Sequence, residues 1–303
     1  MNVDEFRLSS IDEFVGQTRL LNRLTTHIGA AVAERRPLEH LLLAGRPGFG
    51  KTALATLVAD LLEDPLEILV MPVSDKALQA MVASHDGVLL LDEVHAAPAK
   101  IQEMLLPLLE FGYIQTRSGY RIEAGFLTII GATTEPQNLL KPLYDRFRIK
   151  PVFEDYTEDE MAQIVMRMAT KGDLELSEAD SSLLGRATGG TPRNAAQFVV
   201  AGRALGNKLG HSPSAAEILE FCDTDLDGLD RQHYKYLETL AKFGGTRGLA
   251  QIATVMRLNP AVVMEVEALL FSKGFINFGT TGRELTSSGY QKVKGPPRKR
   301  ADE

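Results

Sequence analysis

The chain has 303 residues, enough for two or three domains, and 44% of them are hydrophobic, enough to build ordinary folded cores. A single cysteine, Cys222, excludes an internal disulfide framework and any multi-cysteine metal site. The formal net charge of −7 argues against a protein that coats nucleic acid over its whole surface, but the charge is uneven: residues 225–303 carry 12 basic and 9 acidic side chains, a net of +3, which leaves −10 on residues 1–224. Any nucleic-acid contact is therefore expected near the C-terminal end. Met1 to Glu13 is polar and acidic rather than signal-like, and apolar runs such as Val88–Leu91 are far too short to span a bilayer. A cytoplasmic protein without membrane attachment is expected.

In chain order, the first half alternates short β-like runs with helical stretches, the pattern of an α/β domain built on a parallel sheet with flanking helices. "LLLA" (Leu41–Ala44), "LEILV" (Leu66–Val70), "VLLL" (Val88–Leu91) and "FLTIIGA" (Phe126–Ala132) read as buried strands. "TALATLVADLL" and "PAKIQEMLLPLLEF" carry apolar residues at helical spacing. Tyr113 to Gly125 alternates around Ser118-Gly119, which predicts an inserted β-hairpin. After Phe153 the pattern turns helical. "TEDE" (Thr157–Glu160) and "SEAD" (Ser177–Asp180) have the form of helix starts, and a third helix is expected after Pro192. The acidic "CDTDLDGLD" (Cys222–Asp230) reads as a linker. Three helical patterns and a hairpin in "KGFINFGTTGRELT" (Lys273–Thr286) then give the order of a winged-helix module. The last residues, "KGPPRKRADE", are Pro-rich and charged, and a disordered tail is expected there.

"GRPGFGKT", Gly45 to Thr52, matches the G-x-x-x-x-G-K-[ST] phosphate loop and lies between a strand and a helix, as that motif must. Gly45, Gly48 and Gly50 let the backbone curl so that its N–H groups face phosphate oxygens. Lys51 brings a cation to the β- and γ-phosphates, and the Thr52 hydroxyl is placed to ligate Mg²⁺. In "VLLLDE" a buried strand ends in Asp92, positioned to hold the Mg²⁺ shell, and Glu93 follows as a general base for the attacking water. Glu93 argues for ATP hydrolysis rather than simple nucleotide binding. Arg146 in "PLYDRF" and Arg193 in "GGTPRNAA" are less specific, since a lone arginine is ordinarily a surface ion-pair partner.

The ordered set "DEFVGQ" (Asp12–Gln17), "GRPGFGKT", "LLLDEVH" (Leu89–His95), "GATT" (Gly131–Thr134), "PLYDRF" (Pro142–Phe147) and "GGTPR" (Gly189–Arg193) resembles the RuvB family of AAA+ motors. "GLDR" (Gly228–Arg231) and "KGFI" (Lys273–Ile276) extend the resemblance, which covers roughly residues 6–293. It implies three domains: a large P-loop AAA+ domain over 1–154, a small all-α lid over 155–224 and a C-terminal winged helix over 225–293, with the tail at 294–303. It also implies an adenine pocket at Phe6, Arg7, Phe14 and Val15, walled by Tyr156. Phosphate and Mg²⁺ contacts are implied for Gly45, Pro47, Gly48, Phe49, Gly50, Lys51, Thr52, Ala53 and Asp92. By the same resemblance Glu93 is the catalytic base, Thr134 a γ-phosphate sensor and Arg193 a second sensor. Arg146 is implied as an arginine finger offered to the neighbouring subunit's ATP, and Arg283 as a DNA contact. The implied cofactors are ATP and Mg²⁺. The implied partners are duplex or four-way-junction DNA, further copies of the chain in a hexameric ring, and a RuvA-like junction-binding protein docked on the hairpin Gly112–Gly125.

Several positions depart from the family pattern. Gly112–Gly125 is markedly short for the partner-binding hairpin. Tyr144 and Glu135 each stand where the family has arginine, and Phe278 and Thr281 occupy two of three basic wing positions. Fewer wing charges imply weaker phosphate attraction and a shallower salt dependence; the basic Arg298–Arg300 tail could offset this. The expected activity is ATP-driven branch migration of four-way junctions. Two alternatives stand beside it: a clamp-loader-like or replication-fork recombination ATPase, suggested by "GATTEP" (Gly131–Pro136), and a nucleotide-gated DNA-binding regulator.

Overall fold

Four parallel strands carry the phosphate loop and the acidic strand end. Three of them are buried on both faces, whereas the Leu66–Val70 strand, expected from its apolar run to be buried, lies at the sheet edge with Ile68 and Val70 exposed. These strands belong to a computed structural model that describes residues 5–116, 118–280 and 282–293. The chain runs through α1 (Thr18–Glu34), β1 (Leu41–Ala44), α2 (Lys51–Leu62), β2 (Leu66–Val70), α3 (Asp75–Ser84), β3 (Gly87–Asp92), α4 (Ala99–Phe111), β4 (Tyr113–Gln115), β5 (Arg121–Glu123), β6 (Leu127–Thr133) and α5 (Lys141–Arg146). The sheet order is β1-β6-β3-β2, every pair parallel. Ile149 and Val152 bridge to β1 on its other side.

The continuous apolar runs follow from this burial, because a strand covered on both faces has no solvent side to mark with polar residues. Leu41, Leu43, Val88, Leu90, Ile130 and Ala132 pack with side chains of α1 and α2. Leu42, Leu89, Leu91 and Ile129 pack on the opposite face with Leu78, Leu105 and Phe147. One glycine sets a close approach in this second layer. A Cβ on Gly131 of β6 would lie 2.9 Å from the Phe147 ring and 3.1 Å from Leu42. Without it, Phe147 seats fully buried against the strand and anchors the residue beside Arg146.

The expected hairpin forms, with β4 and β5 antiparallel. Ile114 is buried, the Phe111 and Tyr113 rings stack at 6.1 Å, and the Arg121 guanidinium lies 4.4 Å from the Tyr113 centroid.

The contacts divide the chain into two units. One takes in the chain to Glu160 together with Thr191–Arg193; the other holds Met161–Gly190 and the chain from Asn194 onward. The helices are α6 (Glu158–Lys171), α7 (Glu178–Ala187), α8 (Pro192–Leu209) and α9 (Ala215–Phe221). The capping boxes read from the sequence are present: the Thr157 hydroxyl accepts from Glu160 N–H while the Glu160 carboxylate accepts from Thr157 N–H, and Ser177 caps α7 through Asp180 N–H. Then come α10 (Arg231–Lys242), β7 (Thr246–Arg247), α11 (Leu249–Met256), α12 (Pro260–Ser272), β8 (Ile276–Gly279), β9 (Gly282–Leu285) and α13 (Ser287–Val293). The small antiparallel sheet is ordered β7-β9-β8, so the wing has a third, two-residue strand that sequence patterning missed.

The acidic stretch expected to be a linker connects α9 to α10 without helix or strand of its own, and it is tied down along its length. Asp225 accepts hydrogen bonds from the Tyr234 hydroxyl (2.6 Å) and the N–H groups of Asp227 (2.9 Å) and Leu229 (2.8 Å). Lys292 of α13 pairs with Asp225 at 2.9 Å and Asp227 at 2.5 Å, and Arg186 of α7 reaches Asp227 at 3.2 Å. Composition shows four aspartates, but the lysine and arginine that anchor Asp225 and Asp227 lie 41 to 67 residues away in sequence, where no local pattern marks them. The basic tail, residues 294–303, lies outside the described residues, as does Thr281.

Candidate nucleotide-hydrolysis site

The phosphate loop joins the end of β1 to the start of α2 and turns through two left-handed glycines. Gly48 has φ +78°, and a Cβ there would meet Thr191 at 2.8 Å and Arg193 at 2.9 Å, so this turn needs glycine for both conformation and space. Lys51 is the first residue of α2 and is nearly buried. Its ammonium donates to the loop carbonyls of Gly45 (2.8 Å) and Arg46 (3.1 Å). Burial lowers its pKa; the negative charges of Glu93 and Asp92 oppose that, and Arg193 adds to it. Lys51, Asp92, Glu93 and Arg193 therefore share one electrostatic neighbourhood.

The aromatic neighbours are also assembled. Phe49 is buried, its ring centroid 5.7 Å from that of Tyr156, whose hydroxyl donates to the Phe49 carbonyl at 3.2 Å. Phe14 is buried in the same core layer, with its ring tip 3.7 Å from where a Gly50 Cβ would stand. Gln17, to which sequence reasoning assigns no role, holds this wall in place: its amide donates to the Glu154 carbonyl (2.8 Å) and accepts from Glu154 N–H (2.9 Å). Phe6 and Val15 are half-buried. Arg7 points elsewhere, its guanidinium on Asp60 of α2 at 2.5 Å.

Register brings the acidic end of β3 beside the end of β6, Leu91 pairing with Gly131. Asp92 closes β3, and its carboxylate accepts from Glu93 N–H at 3.1 Å. Glu93 then adopts a left-handed backbone (φ +50°), which costs a non-glycine residue about 1–2 kcal/mol and turns the chain sharply after the strand. The Thr134 hydroxyl donates to Glu93 Oε2 at 3.3 Å, and His95 Nδ1 lies 3.2 Å from the same oxygen. His95 is a second residue that sequence reasoning passed over. Its contacts reach across to β6, where Nδ1 is also 3.0 Å from Thr133 Oγ1, 38 residues away.

The residues suit a Mg²⁺–nucleotide. The loop turns through Gly48 and Gly50 in left-handed conformation, the buried Lys51 cation stands at its end, and a hydroxyl (Thr52) and a carboxylate (Asp92) are the hard oxygen ligands that Mg²⁺ prefers.

Arg146 does not join this group. Its Nε and Nη2 lie 2.8 and 2.6 Å from Glu110 Oε2, and Nη1 donates to the Pro142 carbonyl at 3.0 Å. It lines a surface pocket of about 320 Å³ with His40, Glu110 and Arg148, and no phosphate-loop residue is among the lining.

Arg283 is also engaged within its own unit. From β9 it donates to both oxygens of Glu267 on α12, at 2.8 and 3.0 Å, while Tyr236 of α10 donates to Glu267 Oε1 at 2.9 Å. Its guanidinium lies 5.3 Å from the Phe278 ring centroid.

Comparison with known proteins agrees with this architecture. Residues 6–152 match the family model for the Holliday junction DNA helicase RuvB P-loop domain, and residues 226–294 match that for the RuvB C-terminal winged helix domain. The Holliday junction branch migration complex subunit RuvB of Fusobacterium nucleatum is 31% identical, over 95% of this chain and 92% of that protein. The same subunit from Thermotoga maritima is 30% identical over 96% and 93%. The solved Thermotoga maritima RuvB Holliday junction branch migration motor superposes with a TM-score of 0.84 at 28% identity, covering 97% of this chain and 99% of that one. This chain belongs to the RuvB family.

Proposed function

We propose that this chain is an ATP-hydrolysing DNA motor that drives branch migration at four-way junctions, cleaving ATP where two subunits of a ring meet. The observation that carries the reading is the separation of the two halves of the chemistry. Lys51, Asp92, Glu93, Thr134 and Arg193 gather around one phosphate loop, while Arg146 stands apart from it, its partners among the described residues being Glu110 and Pro142. A second, identical subunit is the economical source of a loop for that arginine, and a hexameric ring is the assembly proposed for it.

Thr52 and Asp92 would hold Mg²⁺, which when bound would neutralise charge on the β- and γ-phosphates. Lys51 binds the same phosphates, and Phe14, Phe49 and Tyr156 enclose the base and keep water from it. Glu93 takes the proton of the water whose oxygen bonds to the γ-phosphorus, as the bond to the β–γ bridging oxygen breaks and ADP leaves. Thr134 holds Glu93 from β6, and Arg193 contributes positive charge from the first turn of α8.

DNA is assigned to the winged-helix end on the charge balance of the chain, +3 against −10. Arg283 is assigned to anchoring the wing, because both oxygens of Glu267 accept from its Nε–Nη2 edge. A RuvA-like partner is assigned to the short hairpin, whose Tyr120, together with Phe111 at the adjoining end of α4, is among the most exposed large apolar side chains. The test is ATP turnover by the full chain with no DNA, with linear duplex and with a four-way junction. Stimulation by DNA supports the motor; a rate indifferent to all three leaves an ATPase without this coupling.

A further inference from the structure

We propose that His95 is a positioning residue for the general base: with Thr134 it clamps one oxygen of Glu93 and leaves the other to meet the attacking water. The inference rests on the reading of Glu93 as the base and goes beyond it by naming what aims it.

The geometry is local and specific. Glu93 Oε2 lies 3.2 Å from His95 Nδ1 and 3.3 Å from Thr134 Oγ1, so two groups from different strand ends converge on one carboxylate oxygen. Among the described residues Glu93 Oε1 has no hydrogen-bond partner. The Glu93 side chain is 39% exposed, and that of His95 only 17%, so the imidazole is the fixed member and the carboxylate the one being fixed. His95 is itself held: Nδ1 is 3.0 Å from the hydroxyl of Thr133, which is fully buried and also accepts from Glu135 N–H at 3.0 Å.

A carboxylate oxygen only accepts, so Nδ1 must carry the proton, which it shares between its hydrogen bond to the Thr133 hydroxyl and the Glu93 oxygen within ion-pair distance; that tautomer is assigned from the contacts. The clamp has a reason in the backbone. Glu93 sits on a left-handed turn just past the strand, outside the β ladder that would otherwise limit its swing. Misplacing a reacting group by about 1 Å costs on the order of 10²-fold in rate, so a free-swinging carboxylate would forfeit much of what a base supplies.

The experiment uses the full chain with four-way-junction DNA and compares His95→Ala, His95→Asn, Glu93→Gln and His95→Ala/Glu93→Gln. Single-turnover hydrolysis and the affinity for a fluorescent ATP analogue with Mg²⁺ are both measured. Asparagine returns an N–H donor near the Nδ1 position. The expected result is a loss of about 10- to 100-fold in rate for His95→Ala, nucleotide affinity within about twofold of the original, and substantial recovery in His95→Asn. In the Glu93→Gln background, removing His95 should change nothing further, because the carboxylate it aims is gone.

Nucleotide affinity lost along with activity in His95→Ala, equal rates for the Ala and Asn variants, or a further full loss in the double variant would each overturn the proposal. The parent reading fails differently. If Glu93→Gln hydrolyses ATP normally, Glu93 is not the base; if Glu93→Gln is inert while His95→Ala is unimpaired, only the clamp is wrong.

Discussion

Arg283 and Glu267 form a two-pronged ion pair, 2.8 and 3.0 Å, with the Glu267 side chain 3% exposed. Removing one partner of such a pair strands the other charge in a low-dielectric site, which costs about 3–5 kcal/mol. Arg283→Ala should therefore destabilise the second unit by about that amount in urea unfolding. The triple change Tyr236→Phe, Glu267→Leu, Arg283→Met should recover most of the loss by removing every buried polar group at once. An Arg283→Ala protein of native stability that no longer responds to DNA would return this arginine to the DNA surface.

At the phosphate loop, Lys51→Ala should abolish nucleotide binding, and Glu93→Gln should bind ATP and retain it uncleaved. Equilibrium binding and single-turnover cleavage separate the two. A Glu93→Gln enzyme with ordinary turnover would contradict the assignment of the base.

Arg146 should act on a neighbour. An arginine finger contributes about 10³–10⁵ in rate, so Arg146→Ala rings should be nearly inert. Mixed with unmodified subunits, the variant should depress activity by more than its share. A strictly proportional decline would mean that each subunit works alone.

The aspartate clasp predicts an acid limit to stability. Burial pushes Asp230 up, but the hydrogen bond and charge of His233 and two backbone N–H groups outweigh it and bring it to about 2. Asp225 and Asp227 are likewise raised by burial and lowered further by their partners, to a net decrease. Lys292 is lowered by burial yet raised more by the two aspartates, to about 12. Carboxylates with depressed folded values bind fewer protons folded than unfolded, so their stabilisation is complete above about pH 4 and is lost as pH falls toward 2. The lysine's contribution is complete below about pH 10 and is lost as pH rises through 12. Unfolding midpoints should thus hold level between these limits and drop on the acid side. Asp225→Asn should lower the plateau and flatten that acid slope.

The parts legible in the sequence are those whose chemistry lies close together along the chain. Gly45 to Thr52 and Asp92-Glu93 declare themselves because a loop and a strand end are contiguous, and the unbroken Leu41–Leu43 and Val88–Leu91 runs declare strands buried on both faces. What stayed hidden depends on tertiary pairing. His95 meets Thr133 across 38 residues, Gln17 meets Glu154 across 137, and Arg146 meets Glu110 across 36. No local pattern marks such partners, since a histidine or glutamine at those positions suits a surface equally well. The anchoring of the Cys222–Asp230 linker was hidden for the same reason, its cations lying on α7 and α13. For Arg283, matching a wing position through resemblance gives no hint of its pairing with Glu267 of α12.

The most direct test of the motor itself is branch migration of a labelled synthetic four-way junction by the full chain with Mg²⁺ and ATP, alone and with a RuvA-type junction-binding protein. ATP-dependent conversion of the junction to separated duplex products in at least one arm, lost in Glu93→Gln, is the predicted result. ATP consumed at full rate in both arms with the junction left intact would contradict it.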